Sequence, residues 1–159
     1  MGLSNWLRAV LNKLCVGLRR RPADEEISGG PQYSLLARFI FQKSHFSKTQ
    51  SKPKQGAFLP DPSILKISAL WRDGLSEQNI WKVGDSLGEV REKQPRARAE
   101  FDQEAVSEAK LKIEPDPKPH PRHVNLCGWP IDKAEQKSIA LFLCARSTLI
   151  VRPVQTDST

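Results

Sequence analysis

Apolar residues recur at three- and four-residue spacing through the first part of the chain. The positions that form this stripe are Leu3, Trp6, Leu7, Val10, Leu11, Leu14 and Leu18. At 100° per residue they cover an arc of about 140°, the width of one buried helical face. The pattern predicts an amphipathic helix over residues 1–21, because Pro22 ends helical periodicity there. An acidic, glycine-rich linker is expected over residues 22–31.

From residue 32 onward, short strand-like and helix-like segments alternate. Branched or aromatic runs predict strands at residues 35–41, 64–71, 97–101, 123–127 and 148–152. Capping residues predict three helices, which start at Ser76, Asp102 and Asp132, with Gly84 as the C-terminal stop of the first. The irregular order of these elements favours an α+β fold. We expect one small domain over residues 32–153, with a mixed sheet of short strands and about three helices, and a frayed tail over 154–159.

Two stretches are predicted to be neither helices nor regular strands. Residues 42–63 form a long polar connection, which is either a functional loop or a mobile one. Residues 114–121 carry proline at every second position, which excludes helix and predicts a stiff, polyproline-like connector.

The charge of the chain is unevenly distributed. Its 159 residues have a formal net charge of +7. Segments 1–23 and 27–60 each contain basic residues but no acidic one, whereas residues 61–159 are electrically balanced. Two acid-free segments indicate an oriented positive surface, so an electrostatic partner would meet the N-terminal part.

The basic amphipathic helix permits three interpretations. It folds back onto the core, it occupies a groove on a partner protein, or it makes peripheral contact with an anionic membrane, with Trp6 at the interface. Arg19, Arg20 and Arg21 would bind the acidic side of such a partner. Its composition also suits a mitochondrial-type presequence. No segment reaches the roughly 18 apolar residues of a transmembrane helix.

Few residues are candidates for catalysis, and common nucleotide and protease motifs are absent from the sequence. Three cysteines without close pairing argue against a disulfide framework and favour a reducing, cytoplasmic setting. His120 and His123 would point to opposite faces of an extended chain, so we predict no metal site and no cofactor. A metal-free nuclease remains an alternative, with His45 and His123 as base and acid and with Arg38, Lys48 or Arg122 stabilising the phosphorane.

The loop over residues 42–55 also suits nucleic-acid binding. Its lysines, Lys43, Lys48, Lys52 and Lys54, alternate with hydroxyl side chains and with one aromatic ring, Phe46. Such a mixture favours phosphate contact together with base stacking. The competing interpretation is a solvated loop whose lysines only maintain solubility.

Several short motifs resemble those of small prokaryotic proteins for which no activity is established. These are R-F-I-F at 38–41 with a following His, K-x-x-A-F-L-P at 54–60, W-x-x-G at 81–84, D-P-x-P-H-P-x-H at 116–123 and G-W-P at 128–130. The resemblance covers residues 35–153. It implies a bacterial, cytoplasmic protein, weakens the presequence interpretation and implies no mechanism.

The sequence therefore favours a non-enzymatic binding or accessory component with a basic N-terminal surface that engages a partner protein or a polyanion. The alternative is the histidine-based nuclease. The two hypotheses differ in one geometric requirement, because only the nuclease needs the imidazoles of His45 and His123 at one cleft.

Overall fold

The computed structural model describes residues 32–154, and the predicted N-terminal helix, the linker and most of the tail lie outside that range. A six-stranded sheet in the order β6-β7-β4-β1-β5-β8 forms the centre of the domain. A separate two-stranded sheet contains β2 and β3. The strands are β1 (Leu35–Ile40), β2 (Phe46–Ser47), β3 (Lys52–Pro53), β4 (Ile67–Trp71), β5 (Ala97–Asp102), β6 (Lys112–Pro115), β7 (His123–Cys127) and β8 (Thr148–Val151).

All neighbouring strands in the central sheet run antiparallel, so the expectation of a mixed sheet is wrong. The connection between β6 and β7 shows one reason. It consists of residues 116–122, which is shorter than the dozen or so residues that a parallel crossover requires. The α+β content and the number of helices agree with the prediction.

Helices cover both faces of the sheet. They are α1 (Glu77–Glu89), α2 (Gln103–Glu108) and α3 (Lys133–Arg146). Side chains of α2 and α3, such as Val106 and Leu143, join the larger core on the first face of the sheet. On the second face, Ile80 and Trp81 of α1 pack with Phe39 in a smaller core. The domain thus has three layers, with the sheet in the middle.

Each helix begins at the predicted capping residue. The Ser76 hydroxyl accepts a hydrogen bond from the backbone N–H of Asn79 at 3.2 Å. The carboxylates of Asp102 and Asp132 accept equivalent bonds from residues three positions later, at 2.7 and 2.8 Å. These bonds satisfy backbone donors that have no partner within the first helical turn.

The predicted stop at Gly84 is wrong, because α1 continues to Glu89. Gly84 lies inside the helix, where an added Cβ would be 2.6 Å from Cε1 of Phe39. The absence of a side chain therefore permits α1 to lie close to the sheet. The glycine has a packing role here rather than a terminating one.

The connection between β1 and β4 is folded against the domain. It contains two short 3-10 turns, Lys43–His45 and Gln55–Ala57, and the β2–β3 pair. Phe58 is fully buried and makes an edge-to-face contact with Phe101, with ring centroids 5.3 Å apart. Because its aromatic residues are core residues, this long connection has a defined position. None of the described helices is long and apolar enough to cross a membrane.

Candidate anion-binding cleft

The central sheet opens between β1 and β4. These strands pair only at Leu36 with Trp71 and at Ala37 with Leu70. Beyond that point β1 remains paired with β5 along its whole length, while β4 remains paired with β7. The two halves of the sheet therefore separate, which leaves backbone groups at the opening in need of other partners.

Arg38 bridges this opening. Its Nη1 donates to the carbonyl oxygen of Ser68 in β4 at 2.8 Å, and its Nε donates to the carbonyl oxygen of Ala57. Among the described residues no carboxylate pairs with Arg38, and its Nη2 has no hydrogen-bond partner there. Burial, and to a smaller extent the charge of Arg91, lowers the pKa of Arg38 to about 10. The guanidinium is therefore still positively charged at neutral pH, without a counter-ion in this part of the chain.

Arg38 lies in a polar cavity of about 450 Å³, which we call the basic cleft. Its basic lining residues are Arg38, Lys66, Arg91 and Lys93. Asp61 is the one acidic residue in the lining that the structure describes, and its carboxylate accepts hydrogen bonds from the backbone and side chain of Ser63. Lys66 also forms an ion pair with Glu114 at 3.5 Å. The basic cleft thus combines an excess of positive charge with an acid already engaged locally.

A tight turn after α1 brings Arg91 and Lys93 to the basic cleft. The backbone N–H groups of both residues donate to the carbonyl oxygen of Gly88, at 2.9 and 3.0 Å. An added Cβ at Gly88 would lie 2.1 Å from the carbonyl oxygen of Lys93. Only glycine permits this approach, since real Cβ atoms are essentially never that close to backbone. The guanidinium of Arg91 also stacks over the ring of Phe41, 5.2 Å from its centroid.

His45 lines the same cleft and is held in place by a second glycine. A Cβ added at Gly56 would lie 2.7 Å from Cδ2 of the imidazole. Partial burial, followed by the charge of Arg38, lowers the pKa of His45 below its usual 6.5. The imidazole is therefore neutral at pH 7 and can both donate and accept a hydrogen bond.

A wider depression of about 900 Å³, which we call the outer groove, continues from the basic cleft. The two cavities share Phe41, Gln42 and Lys93 in their linings. The outer groove has basic side chains from three parts of the chain, namely Lys43, Lys48, Lys93, Arg96 and Arg152. Glu92 also lines it, and Arg152 is paired with Asp85 at 2.5 Å. Cleft and groove together form a continuous positively charged track.

The residues singled out in the loop over residues 42–55 divide into two groups. Lys43 and Lys48 line the outer groove, whereas Lys52 and Lys54 are exposed outside the cavities described here. Phe46 is only 6% exposed and belongs to the main core. Phe46 also lines the outer groove, so its expected role in base stacking stays a prediction, although most of the ring is held in the core.

Neither His123 nor Arg122 is among the residues that line the basic cleft. His123 is 7% exposed, and its Nδ1 is 2.8 Å from the carbonyl oxygen of Asp116. Arg122 donates to the carbonyl oxygen of Asp73 and stacks over Tyr33, 5.0 Å from the ring centroid. Of the five main cavities formed by residues 32–154, none is lined by both His45 and His123. The partner-helix residues and Arg19, Arg20 and Arg21 lie outside the described residues.

Three residues of the candidate site were not identified from the sequence. Arg91, Lys93 and Arg96 alternate with Glu89, Glu92 and neutral residues, so their stretch has little net charge. Their common orientation depends on the turn at Gly88 and on the backbone of Arg96, which donates to the carbonyl oxygen of Ile40 at 2.8 Å. One signal in the sequence could have identified them. The connection between α1 and β5 is short, and a short connection requires a tight turn that fixes the side chains it carries.

Within residues 32–154, no group of three or more His, Cys, Asp or Glu side chains is arranged to hold a metal ion. Cys127 and Cys144 are buried, and burial raises the pKa of each thiol to about 11. Thiolate chemistry at these two positions is therefore suppressed near neutrality. Comparison of the chain with protein-family models, curated proteins and solved structures finds no match.

Proposed function

We propose that this protein binds a nucleic acid through its phosphate backbone, along the track formed by the basic cleft and the outer groove. The observation that carries the proposal is Arg38, a charged guanidinium at the opening of the sheet that lacks a carboxylate partner among the described residues. Arg38 is partly buried, so water solvates its charge less well than on an open surface, and a bound anion would compensate for that loss. A bound phosphate would supply that anion.

The chemistry of the track supports a phosphodiester ligand. A guanidinium presents N–H groups in a planar fork that matches two phosphate oxygens, and Arg38 retains Nη2 for such a contact. Arg91 and Lys93 are exposed and flank it, and Lys93 continues into the outer groove beside Lys43 and Lys48. Successive cations in a groove are the arrangement by which proteins follow a nucleic-acid backbone.

The geometry favours binding over hydrolysis. Metal-free cleavage of RNA needs a base and an acid at the same phosphate. His45 has the neutral state that a base requires, but His123 lines a different cavity and its Nδ1 is engaged by Asp116. We therefore assign His45 a hydrogen-bonding role beside the phosphate and propose a non-enzymatic component.

The test is the salt dependence of binding to a fluorescein-labelled oligonucleotide, measured by anisotropy with the full chain. Each cation that neutralises a phosphate adds roughly 0.7 to 0.9 to the log–log slope against salt concentration. Arg91→Gln and Lys93→Gln should each reduce the slope by about that amount. Lys82→Gln is the matched control, since Lys82 is exposed on α1 but lies outside the track.

Equal effects of the three variants, or binding that does not respond to salt, would contradict the proposal. In that case the positive charge of the track serves solubility only. A protein partner of the N-terminal segment would then be the better explanation of its acid-free composition.

A further inference from the structure

A small apolar pocket lies between α1 and the second face of the sheet. It has a volume of about 200 Å³, and its apolar lining includes Phe39, Phe41, Leu70, Leu87, Val90 and Pro119. Drug-sized ligands occupy cavities of roughly 300 to 1,000 Å³, so this pocket has room for a single ring system. Val90 and Pro119 are exposed, which means that the pocket reaches the surface.

The apolar pocket and the basic cleft meet at the opening of the sheet. Five residues line both cavities, namely Arg38, Phe39, Phe41, Ser68 and Arg91. The separation of β1 from β4 is therefore the place where the two faces of the sheet communicate. A ligand held by its anionic group at Arg38 and Arg91 has an apolar compartment immediately beside it.

Besides Arg38 and Arg91, two polar side chains, His123 and Ser68, interrupt the apolar lining. Asp116 presents a carbonyl oxygen to Nδ1 of His123 at 2.8 Å, and a carbonyl oxygen can only accept. Nδ1 is therefore the donor, which leaves Nε2 as an acceptor in the neutral imidazole. Ser68 contributes a hydroxyl. Neither Nε2 of His123 nor Oγ of Ser68 forms a hydrogen bond with the residues that the structure describes.

We infer that the nucleic acid bound by this protein is single-stranded, and that one unstacked base enters the apolar pocket while its phosphate lies at Arg38 and Arg91. This inference rests on the proposed function and specifies its ligand. A flat ring with polar edges fits a small cavity lined by two phenylalanine rings, a hydroxyl and an imidazole. A duplex cannot supply such a base without unpairing and unstacking it.

The experiment compares two probes of equal length and charge with the full chain. One is a labelled single-stranded oligothymidylate of about twelve nucleotides, and the other is the same backbone without bases. Loss of the base contacts should weaken binding at least about tenfold at constant salt. A blunt duplex of the same length should bind no more tightly than the abasic strand.

The second part of the experiment uses a variant that fills the mouth of the apolar pocket. Val90 is 81% exposed and lines the pocket, whereas Ile131 is 84% exposed and lines none of the described cavities. Val90→Trp should weaken binding of oligothymidylate about tenfold and leave binding of the abasic strand unchanged. Ile131→Trp should bind both probes as the natural chain does.

The outcomes separate this inference from the proposed function. Equal affinity for oligothymidylate and the abasic strand, with salt-dependent binding of both, overturns the base pocket and leaves phosphate binding intact. Equal loss of both probes in Val90→Trp also overturns it, since a blocked pocket should affect only strands with bases. Absence of binding to every probe overturns both proposals.

Discussion

Both carboxylate oxygens of Glu77 accept hydrogen bonds from Nη2 of Arg98, at 2.7 and 2.8 Å. Glu77 begins α1, and Arg98 lies in β5 with only 1% of its surface exposed. Nε of Arg98 also donates to Glu100 at 2.7 Å, and the guanidinium stacks over Trp81, 4.7 Å from the centroid. The start of α1 is thus attached to the sheet by a buried cation with two carboxylate partners.

Replacement of Glu100 should therefore destabilise the domain. Its Oε1 accepts from Arg98 at 2.7 Å and from Arg72 at 3.0 Å. Glu100→Gln removes the negative charge that both guanidinium groups face, and hydrogen bonds to charged groups contribute roughly 1.5 to 3 kcal/mol each. We expect the free energy of unfolding, measured in urea, to fall by about 2 to 3 kcal/mol. The control is the exposed residue Glu89, where Glu89→Gln should change stability very little. An equal loss of stability in both variants would contradict a stabilising role for the bonds from Arg98 and Arg72 to Glu100.

Acid should weaken the attachment of α1. The hydrogen bond from Arg98 is the largest cause that lowers the pKa of Glu77 below its usual 4.5, although burial opposes it. A carboxyl with a lowered folded-state pKa stabilises the fold above its unfolded-state pKa, and this contribution is lost as pH falls through the folded-state pKa. Melting temperature should accordingly fall below about pH 4.5, and the fall should be smaller in Glu77→Gln. Identical pH profiles of the two proteins would contradict this.

Two leucines of α3 provide a test of the main core. Leu141 is 56% exposed, Phe142 is half-buried and Leu143 is fully buried. Leu143→Ala should cost roughly 2 to 5 kcal/mol, the usual range for a buried leucine. Leu141→Ala should stay within about 0.5 kcal/mol of the natural chain. Chemical denaturation of both variants measures the difference, and a larger effect at Leu141 would reverse the assigned face.

The turn at the end of α1 should tolerate no side chain at Gly88. Alanine normally favours a helix interior by about 1 kcal/mol over glycine. Here the added Cβ would meet the backbone of Lys93 at 2.1 Å, so the turn must move. We expect Gly88→Ala to lower both the melting temperature and the affinity for single-stranded oligonucleotides, because Arg91 and Lys93 are displaced. Ser86→Ala on an exposed position of α1 is the control for helix propensity.

The lysines of the loop over residues 42–55 should not contribute equally. Lys48 lines the outer groove, but Lys52 and Lys54 lie outside it. Lys48→Ser should reduce the salt slope of nucleic-acid binding by roughly 0.7 to 0.9. Lys52→Ser and Lys54→Ser should leave the slope nearly unchanged. A slope that falls equally with each of the three would place the ligand over the whole loop instead of in the groove.

Local signals in the sequence predicted where the helices start, but they did not predict the long-range packing. Ser76, Asp102 and Asp132 cap their helices as expected, because a cap depends on the next three residues alone. Gly84 was misread as a stop, since its function depends on Phe39 in a distant strand. Arg98 alternates with apolar residues in a predicted strand, a pattern that does not reveal its burial. In the structure, α1 covers Arg98 and supplies Glu77 as its partner.

The sequence likewise indicated only that part of the candidate site which depends on local composition. Arg38, Lys43 and Lys48 stand out as cations in an acid-free segment, which also contains His45. The separation of β1 from β4, which gives Arg38 its position, depends on pairing between residues more than thirty positions apart. Strand register of that kind is set by tertiary packing and turn geometry, which a single sequence does not display.

The order of the sheet also determines how it meets other molecules at its edges. On one side β6 carries Lys112 and Glu114 and ends at Pro115, which has no N–H to donate. On the other side β3 contacts β8, whose apolar sequence would otherwise leave an attractive edge. Charge and proline at one edge and a covering segment at the other are the means by which β-sheet proteins resist edge-to-edge aggregation. The architecture therefore limits uncontrolled polymerisation, while the opening between β1 and β4 lies within the sheet.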